Sequence, residues 1–125
     1  MPKLPEQQAA REQVMPIPTS GSIPNLAGKR RGLAPETEKA FSAFSQQVFA
    51  EGALAAKTKQ IIAVAVAHVT QCPYCIKGHT KAALQHGASP YELMEAIWVA
   101  AEMRAGAAFA HSALAMEVID SDDEA

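Results

Sequence analysis

The chain has 125 residues, which is enough for one domain of ordinary size. Its 11 basic and 13 acidic residues give a formal net charge of −2, and this argues against a general nucleic-acid binder, which normally carries a basic field. No apolar run reaches the roughly 18 residues that a membrane span needs. The first six residues also lack the apolar stretch of a secretory signal. We therefore expect a soluble, cytoplasmic protein that binds neither nucleic acid nor membrane.

The apolar residues are mostly small. They make up 49% of the chain, but only 6% of the chain is aromatic, and alanine is the most frequent residue. Small side chains allow helices to pack closely, so the composition favours closely spaced helices over a sheet. A domain of this size with such a core leaves large apolar side chains uncovered, and we expect it to form oligomers.

Proline is concentrated at the start of the chain, where six of the eight prolines fall within the first 35 residues. Because proline lacks a backbone donor and disfavours helix in the residue before it, residues 1–34 are predicted to be an extended arm. The helical domain is predicted to cover residues 35–119. Residues 120–125 are expected to form a solvated acidic tail.

Helical signals begin at Pro35, which suits the first turn of a helix. Large apolar residues recur at helical spacing as far as Gly52 and predict one buried stripe. They are Phe41, Phe44, Val48 and Phe49. A second helix is predicted from about Ala55 to Gln71, because the apolar run is long and free of turn residues.

Three further helical segments are expected after this point. Pro73 ends the second helix and opens a third, which runs to His86 with Gly87 as a left-handed cap. The sequence from Ser89 to Glu92 is typical of a capping box, so another helix is predicted from Pro90 to about Arg104. A last one follows Gly106 and ends at Ile119. The alternative is that these last two form one bent helix.

The segment from Cys72 to His79 carries the most reactive residues. Two thiols three positions apart at a helix start can close a disulfide with little rearrangement, and the helix N-terminus favours a thiolate. His79 lies four residues after Cys75, on the same helix face, where an imidazole can accept the thiol proton. From the residues alone either sulfur could be the nucleophile. Cys72 is nearer the helix amides, and Cys75 is the one paired with His79.

A polar line leads along the second helix towards these thiols. Gln60, Val64, His68 and Cys72 share one helix face. We interpret Gln60 and His68 as a hydrogen-bonded support or proton path for the dithiol. The alternative is that both side chains only satisfy buried polar groups.

Five short sequences within about residues 35–119 belong together: KTKQIIAVAVA from Lys57, CPYC from Cys72, His79-Thr80, EAIW from Glu95 and MRAG from Met103. On these motifs the chain resembles the AhpD-like alkylhydroperoxidase branch of the carboxymuconolactone decarboxylase superfamily. The resemblance implies an all-α, AhpD-like helical bundle of about five to six helices, assembly as homotrimers or homohexamers, and thiol peroxidase or disulfide reductase activity in antioxidant defence.

The resemblance also implies roles for single residues. Cys75 would attack the hydroperoxide, Cys72 would resolve the resulting sulfenic acid to a disulfide, and His79 would assist proton transfer. An external dithiol would then reduce the disulfide. The family's usual glutamate, twelve residues before the first cysteine, is replaced here by Gln60, and His68 is the local substitute for it. The sequence contains no Gly-rich phosphate loop or dinucleotide fingerprint, so we expect no cofactor.

The same residues allow two other interpretations, a redox sensor and a zinc site. The chain could be an oligomeric redox sensor whose dithiol is oxidised without turnover, a hypothesis that the neutral Gln60 favours. The spacing His-x3-Cys-x2-Cys-x3-His, from His68 to His79, also suits zinc by ligand type. All four residues lie in one run of twelve, however, and structural zinc sites of this type draw their ligands from separate segments.

Overall fold

The computed structural model describes residues 26–125 as helices and short connections. The helices are α1 Leu26–Leu33, α2 Pro35–Phe49, α3 Ala56–Thr70, α4 Pro73–Gln85 and α5 Pro90–Asp123. Since this part of the chain contains no strand, the predicted all-α fold is confirmed. The chain divides into two units, with the boundary between Leu33 and Ala34, close to the predicted start of the helical domain.

The end of the predicted arm differs from the expectation. Residues 26–33 form α1, so the prediction of extended chain is wrong for this segment. The segment contains no proline, and leucine, alanine, lysine and arginine all favour helix. Arg31 Nε donates to the Ala27 carbonyl at 3.3 Å, one turn earlier. Every residue of α1 is exposed, and residues 1–25 of the predicted arm lie outside the described part.

Helix α2 begins at Pro35, as predicted, with Glu36 and Glu38 near its positive end. The predicted buried stripe is wrong, because no residue of α2 is fully buried. Phe41 and Phe44 are 67% and 64% exposed, whereas Phe49 is half-buried at the end of the helix. Helical spacing identified the apolar face of α2 but could not show whether another part of the chain covers it.

The core lies where α3, α4 and the first half of α5 meet. Its buried members are Val64, Ala83, Ala88 and Leu93, with Ile61 and Ile97 packed against them. Five of the seven buried apolar residues in the described part are alanine, in keeping with the composition, and their small size lets the three helices approach closely. Val64 is completely buried at the centre of α3.

The corner between α3 and α4 is short and places the first cysteine. Gln71 adopts the left-handed conformation, with φ 58° and ψ 44°. Its N–H and that of Cys72 both donate to the Ala67 carbonyl, which ends α3 in a common left-handed cap. Pro73 then occupies the first position of α4, so Cys72 becomes the residue that caps the new helix.

The connection to α5 also follows the predicted signals. Gly87 has φ 91°, the left-handed value expected of it, and Ser89 Oγ accepts a hydrogen bond from the Glu92 N–H at 3.1 Å. Only half of the predicted capping box forms. The Glu92 carboxylate instead pairs with Lys57 Nζ at 3.0 Å and ties the start of α5 to α3.

Helix α5 is one continuous element of 34 residues. It runs through Gly106 without a break and past Ile119 to Asp123, so most of the predicted acidic tail is helical. From residue 101 onwards no side chain of α5 is buried, and large ones such as Phe109, 81% exposed, lie open. Within residues 26–125 no helix combines the length and the apolar character that crossing a membrane requires.

Candidate active site

The two cysteines lie at the first turn of α4, one at the cap and one a turn inside. Cys72 Sγ accepts a hydrogen bond from the Cys75 backbone N–H at 3.2 Å, as a capping side chain does. Both thiols are free and partly buried. The predicted pair is therefore preformed at a helix N-terminus.

The two sulfurs are electrostatically unequal. The hydrogen bond donated by the Cys75 thiol is the main reason that the pKa of Cys72 is lowered, and the backbone N–H groups of Cys75 and Tyr74 add to this effect against a smaller influence of burial. The pKa of Cys75 is raised, chiefly because its thiol donates that bond, and also by burial and by the nearby charge of Cys72. Cys72 is thus the first of the pair to lose its proton.

His79 is held by Gln60 on α3. The Gln60 Oε1 atom lies 2.8 Å from His79 Nδ1, and Gln60 is only 8% exposed. An amide oxygen can only accept, so Nδ1 carries a hydrogen and Nε2 of the neutral ring remains able to accept a proton. The prediction that Gln60 supports the site from α3 thus has a geometric basis. Its contact is with the histidine, one step removed from the sulfurs.

The ring of His79 also makes a stacking contact that the sequence did not predict. The Phe49 ring stacks on His79, with the ring centroids 5.0 Å apart and an angle of 27° between the planes. Phe49 is the last residue of α2, and its side chain brings that helix to the site. The only sequence signal was its membership of the apolar face of α2, which gave no indication of the partner.

Two cavities meet at this group of residues. One has a volume of about 480 Å³ and includes polar side chains of α2 and α3, among them Ser45, Gln46 and Gln60. The other has a volume of about 420 Å³ and is mainly apolar, with Val48, Ile62 and Val66 in its wall. Both cavities are lined by Phe49, Cys75 and His79, whereas Cys72 lines neither. A larger open groove on the outer face of α4 contains neither sulfur.

His68 makes its hydrogen bond to the backbone of its own helix and not to the dithiol. Its Nδ1 lies 2.7 Å from the Val64 carbonyl, one turn earlier in its own helix. Within residues 26–125, no group of three or more His, Cys, Asp or Glu side chains is arranged to hold a metal ion. The zinc hypothesis for the segment from His68 to His79 therefore has no geometric support in this part of the chain.

A second unpredicted contact holds the corner that precedes Cys72. With the Gln71 amide oxygen facing the guanidinium of Arg104, it accepts hydrogen bonds from Nη1 at 2.7 Å and from Nη2 at 3.3 Å. Arg104 belongs to α5, so a helix distant in sequence supports the left-handed residue that positions the thiol. The helical pattern of the sequence gave no indication of this contact.

Comparisons with known proteins fit this architecture. The sequence model of the carboxymuconolactone decarboxylase family matches residues 35–118. An uncharacterized protein of the cox locus of Paracoccus denitrificans is 62% identical over 88 residues, which are 70% of this chain and 79% of that protein.

Two solved structures have similar folds and are each 35% identical in sequence. A protein of Methanobacterium thermoautotrophicum superimposes with a TM-score of 0.63 over 66% of this chain and 93% of that one. A carboxymuconolactone decarboxylase family protein of Legionella pneumophila superimposes with a TM-score of 0.60 over 76% of this chain and 85% of its own.

Proposed function

Because the chain belongs to the carboxymuconolactone decarboxylase family, in its AhpD-like branch, we propose that it is a thiol-dependent hydroperoxidase in antioxidant defence. The substrate is a hydroperoxide, and an external dithiol restores the reduced enzyme. Cys75 attacks the peroxide, Cys72 resolves the product and His79 moves the proton. Gln60 positions His79, and His68 supports α3 through its own backbone bond.

The hydrogen-bonded cysteine pair carries this proposal. The two sulfurs lie at a helix start, where Cys72 Sγ accepts from the Cys75 N–H, and they differ in acidity, with the pKa of Cys72 lowered and that of Cys75 raised. Thiolate chemistry needs a sulfur that ionises near neutral pH, and disulfide formation needs a second sulfur within reach. Cys75 is assigned the attack because it lines both cavities beside His79.

The proposed reaction needs only the hydroperoxide as oxidant and the external dithiol as reductant. The Cys75 thiol gives its proton to His79 Nε2 or to the Cys72 thiolate as its sulfur attacks the terminal peroxide oxygen. The O–O bond breaks, the leaving alkoxide takes that proton from the group that accepted it and departs as an alcohol, and Cys75 becomes a sulfenic acid. The Cys72 thiolate then attacks that sulfur and forms the disulfide, and the displaced hydroxide takes up a proton from solvent and leaves as water. Exchange with the external dithiol returns both thiols and closes the cycle.

Reaction of the reduced protein with hydrogen peroxide and with tert-butyl hydroperoxide tests this cycle. We expect the loss of two thiols per chain, one internal disulfide by mass spectrometry, and repeated turnover when a dithiol is supplied. Cys72→Ser should stop at a sulfenic acid that dimedone traps on Cys75, and Cys75→Ser should not consume peroxide. One-time oxidation without turnover in any dithiol would instead identify the chain as a redox sensor.

The role of His79 is tested against the histidine that caps the C-terminal end of the same helix. His79→Gln should slow the oxidation step by about 10²-fold, the lower limit for a general acid or base. His86 is exposed and bonded to the Ala82 carbonyl, so His86→Gln is the matched control and should react at the wild-type rate. Equal rates for the two variants would remove His79 from the mechanism.

We also propose that several copies assemble, as a homotrimer or a homohexamer. The support is the apolar surface of α2 and α5, where Phe41, Trp98 and Phe109 are all at least 66% exposed. Large apolar side chains that a single chain leaves uncovered on two helices are typical of an interface. Sedimentation velocity should give a mass three or six times that of one chain, and Trp98→Asp should lower it. A monomer at every concentration would contradict the assembly.

A further inference from the structure

Helix α2 contacts the His79 ring through its last residue, Phe49. No residue of α2 is fully buried, and its aromatic side chains other than Phe49 are exposed. What fixes the end of the helix is an ammonium group of α3. Lys59 Nζ donates to the Val48 carbonyl at 2.8 Å and to the Ala50 carbonyl at 2.6 Å. These two carbonyls belong to the residues on either side of Phe49.

Two neighbouring residues of α3 therefore hold the two rings of one stack. Lys59 fixes the backbone around Phe49, and Gln60 fixes the His79 imidazole at Nδ1. The rings stack with their centroids 5.0 Å apart. Hydrogen bonds with a charged donor are stronger than neutral ones, and the last carbonyls of a helix attract a cation. The Lys59 ammonium is therefore well suited to keep this end of α2 in place.

We propose that Lys59 is a positioning residue that seats Phe49 on His79, and that the Phe49 ring, as the shared wall of the two cavities, restricts access of bulky hydroperoxides to Cys75. The inference rests on the proposed function for its substrates. The arrangement of Lys59, Phe49 and His79 can be tested without any turnover.

The chemistry explains why the shared wall affects substrate choice. As the Cys75 sulfur attacks the terminal oxygen, the S–O bond forms while the O–O bond breaks on the opposite side. The leaving alcohol must therefore fit in a cavity adjoining Cys75 and receive a proton there, for which the protonated His79 is placed. Cavities of about 480 and 420 Å³ adjoin Cys75, and Phe49 lines both of them. Since Phe49 lines both cavities, we expect removal of its ring to enlarge the space beside Cys75 and make room for a larger leaving group.

The experiment compares Phe49→Ala and Lys59→Met with Lys57→Met. Lys57 lies two residues from Lys59 on the same helix but pairs with Glu92 on α5, so its variant is the matched control. Lys59→Arg retains a cationic donor and should behave like the wild type. Phe49→Leu keeps an apolar side chain of intermediate size for the case in which the alanine variant folds poorly.

The first measurement is alkylation of Cys75 by iodoacetamide and by N-phenylmaleimide, with Cys72 replaced by serine in every variant. We expect the rate ratio of the bulky to the small reagent to rise about tenfold in Phe49→Ala, with a smaller rise in Lys59→Met. The ratio should stay at the wild-type value in Lys57→Met. The second measurement is the NMR shift of the His79 ring protons, which the stacked ring displaces and which both Phe49→Ala and Lys59→Met should change.

Wild-type shifts and ratios in folded Lys59→Met would overturn the positioning role of Lys59. An unchanged ratio in both Phe49→Ala and Phe49→Leu would overturn the restriction by the ring. With hydroperoxides, the ratio of kcat/KM for cumene hydroperoxide to that for hydrogen peroxide should rise in parallel with the alkylation ratio. A wild-type protein that reduces no hydroperoxide would overturn the proposed function, and the alkylation and NMR data would still decide the inference about Lys59.

Discussion

The hydrogen bond between Gln60 and His79 offers the sharpest test of how the site handles a proton. Gln60 Oε1 lies 2.8 Å from Nδ1, and Gln60 is 8% exposed. Gln60→Glu replaces the neutral acceptor by a carboxylate of nearly the same shape. Gln60→Leu removes the acceptor. In the proposed mechanism His79 becomes an imidazolium as Cys75 attacks, so the charge of its partner acts directly on the barrier.

The expected size follows from the type of bond. A neutral hydrogen bond contributes about 0.5–1.5 kcal/mol net, and one to a charged group about 1.5–3 kcal/mol. The difference, about 1–1.5 kcal/mol, corresponds to roughly a tenfold change in rate. Gln60→Glu should therefore oxidise about ten times faster than the wild type, and Gln60→Leu about three to ten times slower. The gain requires an ionised carboxylate and should grow as pH rises through the titration of the introduced group.

The assay is single-turnover oxidation of the reduced protein, followed by the loss of free thiols as pH is varied. Gln46→Glu is the matched control, since Gln46 lines the same cavity and its replacement adds the same charge without contacting Nδ1. Equal acceleration in Gln60→Glu and Gln46→Glu would mean that the added negative charge acts at a distance and that its bond to Nδ1 has no effect. A Gln60→Leu variant as fast as the wild type would refute the role given to this bond.

Three further outcomes follow from the contacts. Cys75→Ala should raise the pKa of Cys72 towards its ordinary value, because the donor that lowers it is lost, whereas Cys75→Ser retains a donor. The pH midpoint of Cys72 alkylation should accordingly move up in the alanine variant. An unmoved midpoint would contradict the lowering of the Cys72 pKa by the Cys75 thiol. Val64→Ala should lower the free energy of unfolding by about 2 kcal/mol in urea titrations, from two lost methyl groups and the cavity left behind. Ser89→Ala should cost about 1 kcal/mol through the lost cap of α5, and Ser89→Thr much less.

The helix starts were predictable because their signals are local. Pro35, Pro73 and Pro90 each stand at the first turn of a helix, where the missing N–H has no consequence. The continuity of α5 was left open because Gly106 lowers helix propensity by about 1 kcal/mol, a penalty that good helix formers on both sides can offset. The prolines up to Pro24 led to the prediction that the whole arm is extended, although the segment that forms α1 contains no proline.

The part of the site that lies on one helix was predictable from the sequence. The spacing placed Cys75 and His79 on one face of α4 with Cys72 at its start, and the structure brings Cys75 and His79 to the same cavities. The partner of Gln60 depended on which face of α4 packs against α3, and spacing within α3 cannot show that. The sequence line through His68 pointed to a sulfur, whereas the structure joins Gln60 to a histidine on the next helix.

The corner between α3 and α4 separates two properties that a catalytic thiol usually combines. Cys72, at the cap, has the lowered pKa but lines neither cavity, whereas Cys75, one turn inside, lines both and has the raised pKa. In the proposed cycle the two are reconciled because the Cys72 thiolate accepts the Cys75 proton as Cys75 attacks and passes it to the leaving alkoxide, which restores the thiolate. The acidic sulfur then acts as a base first and as the resolving nucleophile afterwards. Serine at position 72 therefore removes a base as well as a resolving thiol, so it should slow the first oxidation, which simple loss of resolution would leave unchanged.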